Sequence, residues 1–334
     1  MSTRAALLPA PATHTGGVTT PVTPPNARIP MPATTDPLLA AIRPDPAHTV
    51  AQIVVAQDGT GDYDNLGDAF AAVEAACSLP MAIKGKTKVD PTVRVDIAVK
   101  PGVYEPGAWS GGFAVPWVNV FATDQTPGAT VCNIGTEPWG GLYWEGVDIV
   151  NPATITTFDP KYAVHMHSAT SDTLRGSTAI FARCTLANLA KESGGSGVPI
   201  GMDGEKQGTL ALHDVRLVFA EGGVARTNLH GWSDWVTRND EDGPTVGMDV
   251  IFSKVAYDGG MLSYDALNGQ SRDEMWVVDC TAKGARLTGA ATTLHVARST
   301  LNTVTADGAQ DTRSDWPIPT GGLSARDKQR WGIA

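Results

Sequence analysis

The fold of this chain is decided by a six-residue strand motif, which first reads Trp144-Glu-Gly-Val-Asp-Ile and then recurs five times. The recurrences align without gaps and read Phe181-Ala-Arg-Cys-Thr-Leu, Leu212-His-Asp-Val-Arg-Leu, Phe252-Ser-Lys-Val-Ala-Tyr, Val277-Val-Asp-Cys-Thr-Ala and Val296-Ala-Arg-Ser-Thr-Leu. Their spacings are 37, 31, 40, 25 and 19 residues. A short strand that repeats at such irregular intervals is typical of a β-solenoid, because each repeat adds a layer to one continuous core. The alternative is a sandwich whose strands resemble one another by chance.

The rest of the chain divides into an arm, a body and a tail. Ten of the 23 prolines precede residue 47, so residues 1–50 are expected to form an extended Pro/Thr-rich arm or attachment segment. The body, residues 51–322, opens with patterns that predict a strand at 52–55, a helix at 66–76 and a strand at 93–99. Residues 323–334 are expected to form a short C-terminal helix or tail.

Charge and composition restrict the partners of the chain. Its formal net charge is −10, the wrong sign for contacts with nucleic acid phosphates or anionic lipid. No apolar run is long enough to span a membrane, and the N-terminus does not read as a secretory signal peptide. The four cysteines, Cys77, Cys132, Cys184 and Cys280, are too sparse for a disulfide framework and are expected to be buried thiols.

Two stretches near the start of the body carry a family resemblance. Val54-Val-Ala-Gln-Asp-Gly-Thr-Gly-Asp-Tyr and Ile97-Ala-Val-Lys-Pro-Gly-Val-Tyr-Glu, with the predicted helix between them, resemble the opening of pectin methylesterases and of the wider pectin lyase-like superfamily. The resemblance covers about 50 residues. It implies an all-β fold, a right-handed single-stranded parallel β-helix, with the helix at 66–76 capping the first turn of the solenoid.

The esterase resemblance also implies a pair of catalytic aspartates, one a nucleophile and the other an acid/base. Asp249-Val-Ile-Phe resembles the family's Asp-Phe-Ile-Phe-Gly segment, but Ser253 replaces its glycine. The Gln-Asp pairs are Gln57-Asp58 and Gln310-Asp311, of which the second follows Asp249 instead of preceding it, and no Arg-Pro-Trp segment occurs. The esterase motifs are therefore incomplete, and the enzyme hypothesis keeps Asp214, Asp249 and Asp279 as its candidates.

Asp214 and Asp279 also belong to a column of alternating charge. The third residue of the motif is, in the six repeats in turn, Gly146, Arg183, Asp214, Lys254, Asp279 and Arg298. In a parallel solenoid these residues stack about 4.8 Å apart, so they are expected to form an outward ladder of ion pairs. The rival hypothesis is that Asp214 and Asp279, about 9–10 Å apart, form an inverting carboxylate pair. Lys254 between them would lower both pKa values, which favours the ion-pair hypothesis.

The longest insertion between repeats predicts a glycan-binding loop. Trp232 and Trp235 offer flat faces for sugar rings, and Asp234 and Arg238 offer hydrogen bonds to hydroxyls. The alternative is that these tryptophans pack loops onto the body. His165 and His167 share one strand face, but no third ligand is evident, so neither a metal nor a cofactor is expected. His213 and His295 are interpreted as ordinary strand positions.

Three classes of function remain open. The first is a bacteriophage tail or particle-surface protein, located in the virion, which attaches to other virion proteins through residues 1–50 and recognises a host surface polysaccharide or serves structurally. Such β-helices are often trimers, so a homotrimer is possible. The second class is a polysaccharide-processing enzyme, either a carbohydrate esterase or a glycan depolymerase. The third is a ligand-free structural or assembly protein.

Overall fold

The chain is built mainly from parallel β-strands. The computed structural model describes residues 28–44, 49, 51–83, 86–89, 95–104, 118–132, 141–151, 162–167, 177–190, 197–205, 208–232, 248–267 and 273–316. Two helices occur in these residues, α1 (Pro37–Ile42) and α2 (Leu66–Cys77). The predicted helix at 66–76 and the strands at 52–55 and 93–99 are confirmed within a few residues.

The strands follow in chain order. The first twelve are β1 (Ala51–Val55), β2 (Ser78–Ile83), β3 (Lys86–Val89), β4 (Val95–Val99), β5 (Gly102–Tyr104), β6 (Val118–Ala122), β7 (Thr130–Cys132), β8 (Gly141–Glu145), β9 (Asp148–Asn151), β10 (Tyr162–His167), β11 (Ser177–Ala182) and β12 (Thr185–Asn188). The remainder are β13 (Val198–Glu205), β14 (Gly208–His213), β15 (Arg216–Phe219), β16 (Asn228–Trp232), β17 (Met248–Ser253), β18 (Ala256–Leu267), β19 (Glu274–Val278), β20 (Thr281–Thr288), β21 (Thr293–Ala297), β22 (Thr300–Ala306) and β23 (Ala309–Asp311).

These strands form two long parallel sheets and one short antiparallel pair. The first sheet has ten strands in the order β1-β4-β6-β8-β11-β14-β17-β19-β21-β23. The second has eleven strands and includes β9, β12, β15, β18, β20 and β22, while β2 and β3 pair antiparallel. Because the ten-stranded sheet keeps chain order, each new strand adds to the preceding one. This arrangement is compatible with the parallel β-helix that the sequence predicts.

The six recurrences of the strand motif occupy equivalent corners between the two sheets. Among the described residues, those with positive φ other than glycine are Arg183, Asp214, Lys254, Asp279 and Arg298, at 48° to 55°, and Gly146 has φ 73°. These six residues are called the corner column below. The N–H of each corner residue from Gly146 to Asp279 donates to a carbonyl on the next strand of the ten-stranded sheet, at 2.9–3.0 Å. This hydrogen bond continues the sheet ladder into the corner and offsets the cost of a left-handed backbone, of order 1–3 kcal/mol for a residue with a side chain.

The hydrophobic core lies between the sheets. Its largest buried side chains include Trp144, Phe181 and Tyr264, and α2 contributes Leu66, Ala69, Phe70 and Val73. Helix α2 begins after Asn65, whose side chain accepts the Asp68 N–H at 2.8 Å, as an N-cap residue does. Cys184 and Cys280 are buried and free, as expected from the sequence, whereas the side chains of Cys77 and Cys132 lie outside the described residues.

A second apolar cluster lies on the opposite, outer face of the ten-stranded sheet. It contains Tyr143, Ile180, Ala211, Ile251 and Trp276, which are covered by Leu39 and Ile42 of α1 and by Trp316. Residues 28–44, called the covering segment below, therefore pack against the body through this face. The proposed attachment role of residues 1–50 stays a prediction, and both residues 1–27 and the expected tail helix at 323–334 lie outside the described residues.

Candidate functional site

The outer face of the ten-stranded sheet carries several buried polar side chains, among them Gln52, Asn119 and His295. One outward row follows the strand register from end to end and contains Gln52, Asp96, Asn119, Tyr143, Ile180, Ala211, Ile251, Trp276, His295 and Asp311. The row is polar at both ends and apolar in the middle. Helix α1 covers the apolar middle, whereas residues 28–31 lie over the N-terminal end beside a cavity and the C-terminal end is open to solvent. The two polar ends are therefore the candidate sites.

At the C-terminal end of the face, four side chains form what is called the polar cluster, namely Glu274, His295, Asp311 and Arg313. His295 Nδ1 lies 2.5 Å from Asp311 Oδ1, and His295 Nε2 lies 3.1 Å from Glu274 Oε2. Arg313 Nη2 donates to Glu274 Oε2 at 3.0 Å. The cluster is open to solvent, since 33%, 48% and 46% of the Glu274, Asp311 and Arg313 side chains are exposed.

The polar cluster is held in place from below by an aromatic ring. The indole of Trp276 stacks on the imidazole of His295 with centroids 4.7 Å apart, and the guanidinium carbon of Arg313 lies 5.7 Å from the Trp276 ring. The hydrogen bond from His295 is the main cause that lowers the pKa of Asp311 below its ordinary value. The cluster therefore presents fixed acceptors and a fixed donor at neutral pH.

Asp249 is the sequence-predicted catalytic candidate that lies nearest to this cluster in the sheet. It is half-buried in β17, and its register partner on β19 is Glu274. Register partners in neighbouring parallel strands are separated by about 4.8 Å. The structure thus places two carboxylate residues side by side on the outer face. The sequence identified Asp249 but not Glu274.

Asp214 and Asp279 lie in the corner column and not on the outer face with Asp249. Both are exposed, and Lys254 occupies the strand between theirs, so the alternating charges lie on successive strands as predicted. The predicted ladder of ion pairs forms only in part, because within the described residues Arg298 pairs with Asp279, whereas Arg183 pairs with Glu145 and Lys254 with Asp36. Arg298 donates to Asp279 through Nε at 2.7 Å and Nη2 at 2.8 Å. This bidentate hydrogen bond lowers the pKa of Asp279. An ionised Asp279 suits an ion pair and is poorly suited to a general acid, but the catalytic role of the two residues stays a prediction.

A group of polar side chains around Asp36 joins the covering segment to the sheet. Asp36 caps α1 by accepting the N–H groups of Leu38 and Leu39, and its Oδ2 lies 2.6 Å from Lys254 Nζ and 3.1 Å from His213 Nε2. His213 Nδ1 lies 3.2 Å from Ser253 Oγ. Burial lowers the pKa of His213, so the neutral ring donates to Asp36 through Nε2 and accepts from Ser253 through Nδ1.

The Asp36–His213–Ser253 arrangement resembles a nucleophile, base and orienting acid in composition alone. Ser253 and His213 are 2% and 1% exposed beneath the covering segment, so a substrate cannot reach the hydroxyl in this conformation. Lys254 also pairs with the carboxylate that would orient the histidine. We therefore interpret this group as an attachment point for α1.

Glu145 forms a second attachment point. It is completely buried and accepts from Arg43 Nε at 2.9 Å and Nη2 at 2.5 Å, from Tyr143 Oη at 2.6 Å and from Arg183 Nη2. Burial is the main cause that raises the pKa of Tyr143, and the neighbouring carboxylate adds to it. One buried carboxylate thus joins the covering segment, the outer face and the corner column.

The predicted glycan-binding loop falls almost entirely outside the described residues. Trp232 ends β16, where its backbone pairs with Leu267, but nothing is described of its side chain. Asp234, Trp235 and Arg238 lie outside the described residues. Their proposed role in glycan binding therefore stays a prediction.

Other sequence-based candidates have simpler surroundings. His165 stacks on the Tyr162 ring with centroids 4.6 Å apart, and the His167 side chain is not described. In the part of the chain that the structure describes, no group of three or more His, Cys, Asp or Glu side chains is arranged to hold a metal ion. Within the same residues, no helix has the length and apolar character required to cross a membrane.

Sequence reasoning missed His213, His295 and Glu145 as members of polar groups. Glu145 and His213 both occupy the second position of the recurring motif, as does Ser253, so the alignment already placed them in one row. Three polar residues in a row whose other members are Ala182, Val278 and Ala297 were the available signal for Glu145 and His213, whereas His295 lies outside the motif. Comparison of the chain with family models, with curated proteins and with solved structures finds no match.

Proposed function

We propose that this protein is a right-handed parallel β-helix of the pectin lyase-like type that binds a host surface glycan as a bacteriophage tail or particle-surface protein. The fold part is supported by two long parallel sheets, by strand order that follows chain order and by left-handed corners at all six repeats. The resemblance of residues 54–63 and 97–105 to the pectin methylesterase opening adds to this support.

The observation that carries glycan binding is the polar cluster on the outer face. Sugar hydroxyls need both acceptors and donors, and Glu274 and Asp311 supply acceptors beside the donor Arg313. These side chains are already fixed by mutual contacts on a sheet, so little conformational entropy is lost when a glycan binds. The loop containing Trp232, Asp234, Trp235 and Arg238 is proposed as an additional contact for the same polymer.

Attachment to the particle is proposed to use residues 1–50. Residues 28–44 of this stretch pack on the body, so contacts with other virion proteins are expected to come from residues 1–27. A homotrimer is proposed as the assembled form. Sedimentation of the full chain and of a chain lacking residues 1–27, each mixed with tail components, tests the attachment.

The glycan proposal is tested by binding of the labelled full chain to an array of bacterial surface polysaccharides. A double substitution, Glu274→Gln with Arg313→Ala, should weaken binding at least tenfold, whereas Arg298→Ala, an exposed ion-pair residue of the corner column, should not change it. If only Trp232→Ala with Trp235→Ala weakens binding, the cluster assignment is wrong. If the chain binds no polysaccharide, the ligand-free structural role is favoured.

A second candidate function, polysaccharide processing, is favoured by the register pair Asp249 and Glu274. Carboxyl groups on adjacent strands can approach the separation of about 5–5.5 Å that retaining glycosidases use. Asp249→Asn and Glu274→Gln should each abolish release of reducing sugar or methanol from a glycan that the wild-type chain cleaves. Full activity in both variants, or no product from the wild-type chain on any polysaccharide of the array, would rule out this candidate.

A further inference from the structure

The N-terminal end of the outer face contains a cavity that the proposed function does not use. The cavity has a volume of about 570 Å³ and lies between the covering segment and the sheet. Its apolar wall includes residues 29–31 and Ala40, and its polar wall includes Arg28, Asp96 and Asn119. Pockets that bury a small molecule usually measure about 300–1,000 Å³ and combine an apolar wall with a few polar groups, as this one does.

Two polar atoms of the lining residues have no hydrogen-bond partner within the described part of the chain. Asn119 is 1% exposed, and its Nδ2 donates to Asp96 Oδ1 at 2.7 Å, but its Oδ1 accepts nothing. Arg28 Nη2 donates to the Thr49 carbonyl at 2.8 Å, but its buried Nε is also unpaired. A buried polar group without a partner is costly, so a ligand that pairs with these two atoms would gain their hydrogen bonds.

The two unpaired atoms call for different partners. Asn119 Oδ1 needs a donor, and the Arg28 Nε–H needs an acceptor. A hydroxyl group satisfies either need, because its oxygen accepts while its hydrogen donates. A molecule that carries several hydroxyls satisfies both atoms at once and places its C–H groups against residues 29–31.

The charges around the cavity balance. Arg43, which also lines it, pairs with the buried carboxylate of Glu145, and Asp96 offsets Arg28 in formal charge. Asp96 also accepts the hydroxyl of Thr49 at 3.1 Å. An anionic ligand would face Asp96 and a cationic one would face two arginines. The lining therefore favours a neutral ligand.

We propose that this cavity binds a neutral, hydroxyl-rich small molecule of the size of one sugar or polyol. The site is separate from the polar cluster, because the two lie at opposite ends of the outer face and share no residue. Binding of a single small molecule here does not depend on whether the protein binds a polymeric glycan.

The test is saturation-transfer NMR and calorimetric titration of the full chain with D-glucose, D-galactose, N-acetyl-D-glucosamine, myo-inositol and glycerol, with D-galacturonate as an anionic comparison. Ala40 and Ala41 are adjacent exposed residues of α1, and only Ala40 is among the residues that line the cavity. Ala40→Trp should fill the cavity and weaken binding at least tenfold, whereas Ala41→Trp is the matched control and should bind as wild type does.

Arg28→Met removes the unpaired donor without filling the cavity and should also weaken binding about tenfold. If circular dichroism shows that Ala40→Trp does not fold, the binding of Arg28→Met is the test of the proposal. The proposal is wrong if no neutral compound binds saturably, if galacturonate binds more tightly than every neutral compound, or if binding survives both substitutions. Polysaccharide binding by Ala40→Trp should be unchanged, which separates this site from the polar cluster.

Discussion

Substitution of Glu145 by Gln is expected to destabilise the protein more than any change to an exposed ion pair. The side chain is completely buried, while the Arg43 and Arg183 side chains that it holds are only 13% and 24% exposed. Gln keeps the shape of Glu but removes the charge. The substitution leaves two partly buried guanidinium groups around a neutral amide, and they lose the ion pairs that offset their desolvation.

The expected cost follows from these contacts. Removing one partner of a buried ion pair costs about 3–5 kcal/mol, because the remaining charge stays buried without compensation. Arg43→Met should cost less, about 1.5–3 kcal/mol, since Glu145 keeps its hydrogen bonds from Arg183 and Tyr143. The variant that combines Glu145→Gln with Arg43→Met should be more stable than the sum of the two single costs predicts, because it removes both charges of the pair and leaves neither one buried alone.

Urea unfolding at pH 7, followed by far-ultraviolet circular dichroism and tryptophan fluorescence, gives the free energy of unfolding for each variant. We expect Glu145→Gln to lower the free energy of unfolding most and Arg43→Met to lower it less. A loss below about 1 kcal/mol for Glu145→Gln would refute the reasoning. Additive costs in the double variant would also contradict it, since they would show that Glu145 and Arg43 do not interact.

Three further predictions concern the corner column, the covering segment and the buried thiols. Arg298→Ala should scarcely lower the urea midpoint of unfolding, and its effect should be smaller still in 1 M salt, because its ion pair with Asp279 is exposed; a midpoint shift as large as that of Arg43→Met would contradict this. Burial raises the pKa of Asp36, but hydrogen bonds from Lys254, Leu39 and His213 outweigh it and hold the pKa well below 3.8. The loss in free energy of unfolding caused by Asp36→Asn should therefore be largest above about pH 5 and should shrink as the pH drops below about 4. A loss that grows in acid would contradict the lowered pKa of Asp36. Burial raises the pKa of Cys280 to about 12 and also raises that of Cys184. In a variant that lacks Cys77 and Cys132, neither remaining thiol should therefore react with Ellman's reagent at about pH 8 until the protein unfolds.

The strand order could be predicted from the sequence because the repeats carry their own register. The alignment of the six motifs puts Arg183 and Asp214 at the same position, and the structure places these residues in equivalent corners of adjacent strands. The left-handed backbone of the corners was not predictable from residue type, since Arg and Lys rarely adopt it. It follows from the sheet ladder, which continues through the corner hydrogen bonds.

The candidate sites were less predictable because they depend on contacts between distant parts of the chain. Asp36 reaches His213 across 177 residues, and Arg43 reaches Glu145 across 102. Nothing in the Pro-rich composition of residues 1–50 shows which sheet face residues 28–44 cover. Asp249 was found through its resemblance to an esterase segment, but its neighbour Glu274 belongs to no motif and becomes visible only from strand pairing.

The polysaccharide array tests the central claim, that the outer face binds a glycan, most directly. The proposed function predicts that the wild-type chain binds at least one bacterial surface polysaccharide and that Glu274→Gln with Arg313→Ala lowers its affinity at least tenfold, while Arg298→Ala leaves it unchanged. Equal binding by the wild-type chain and the Glu274/Arg313 double variant would contradict that claim.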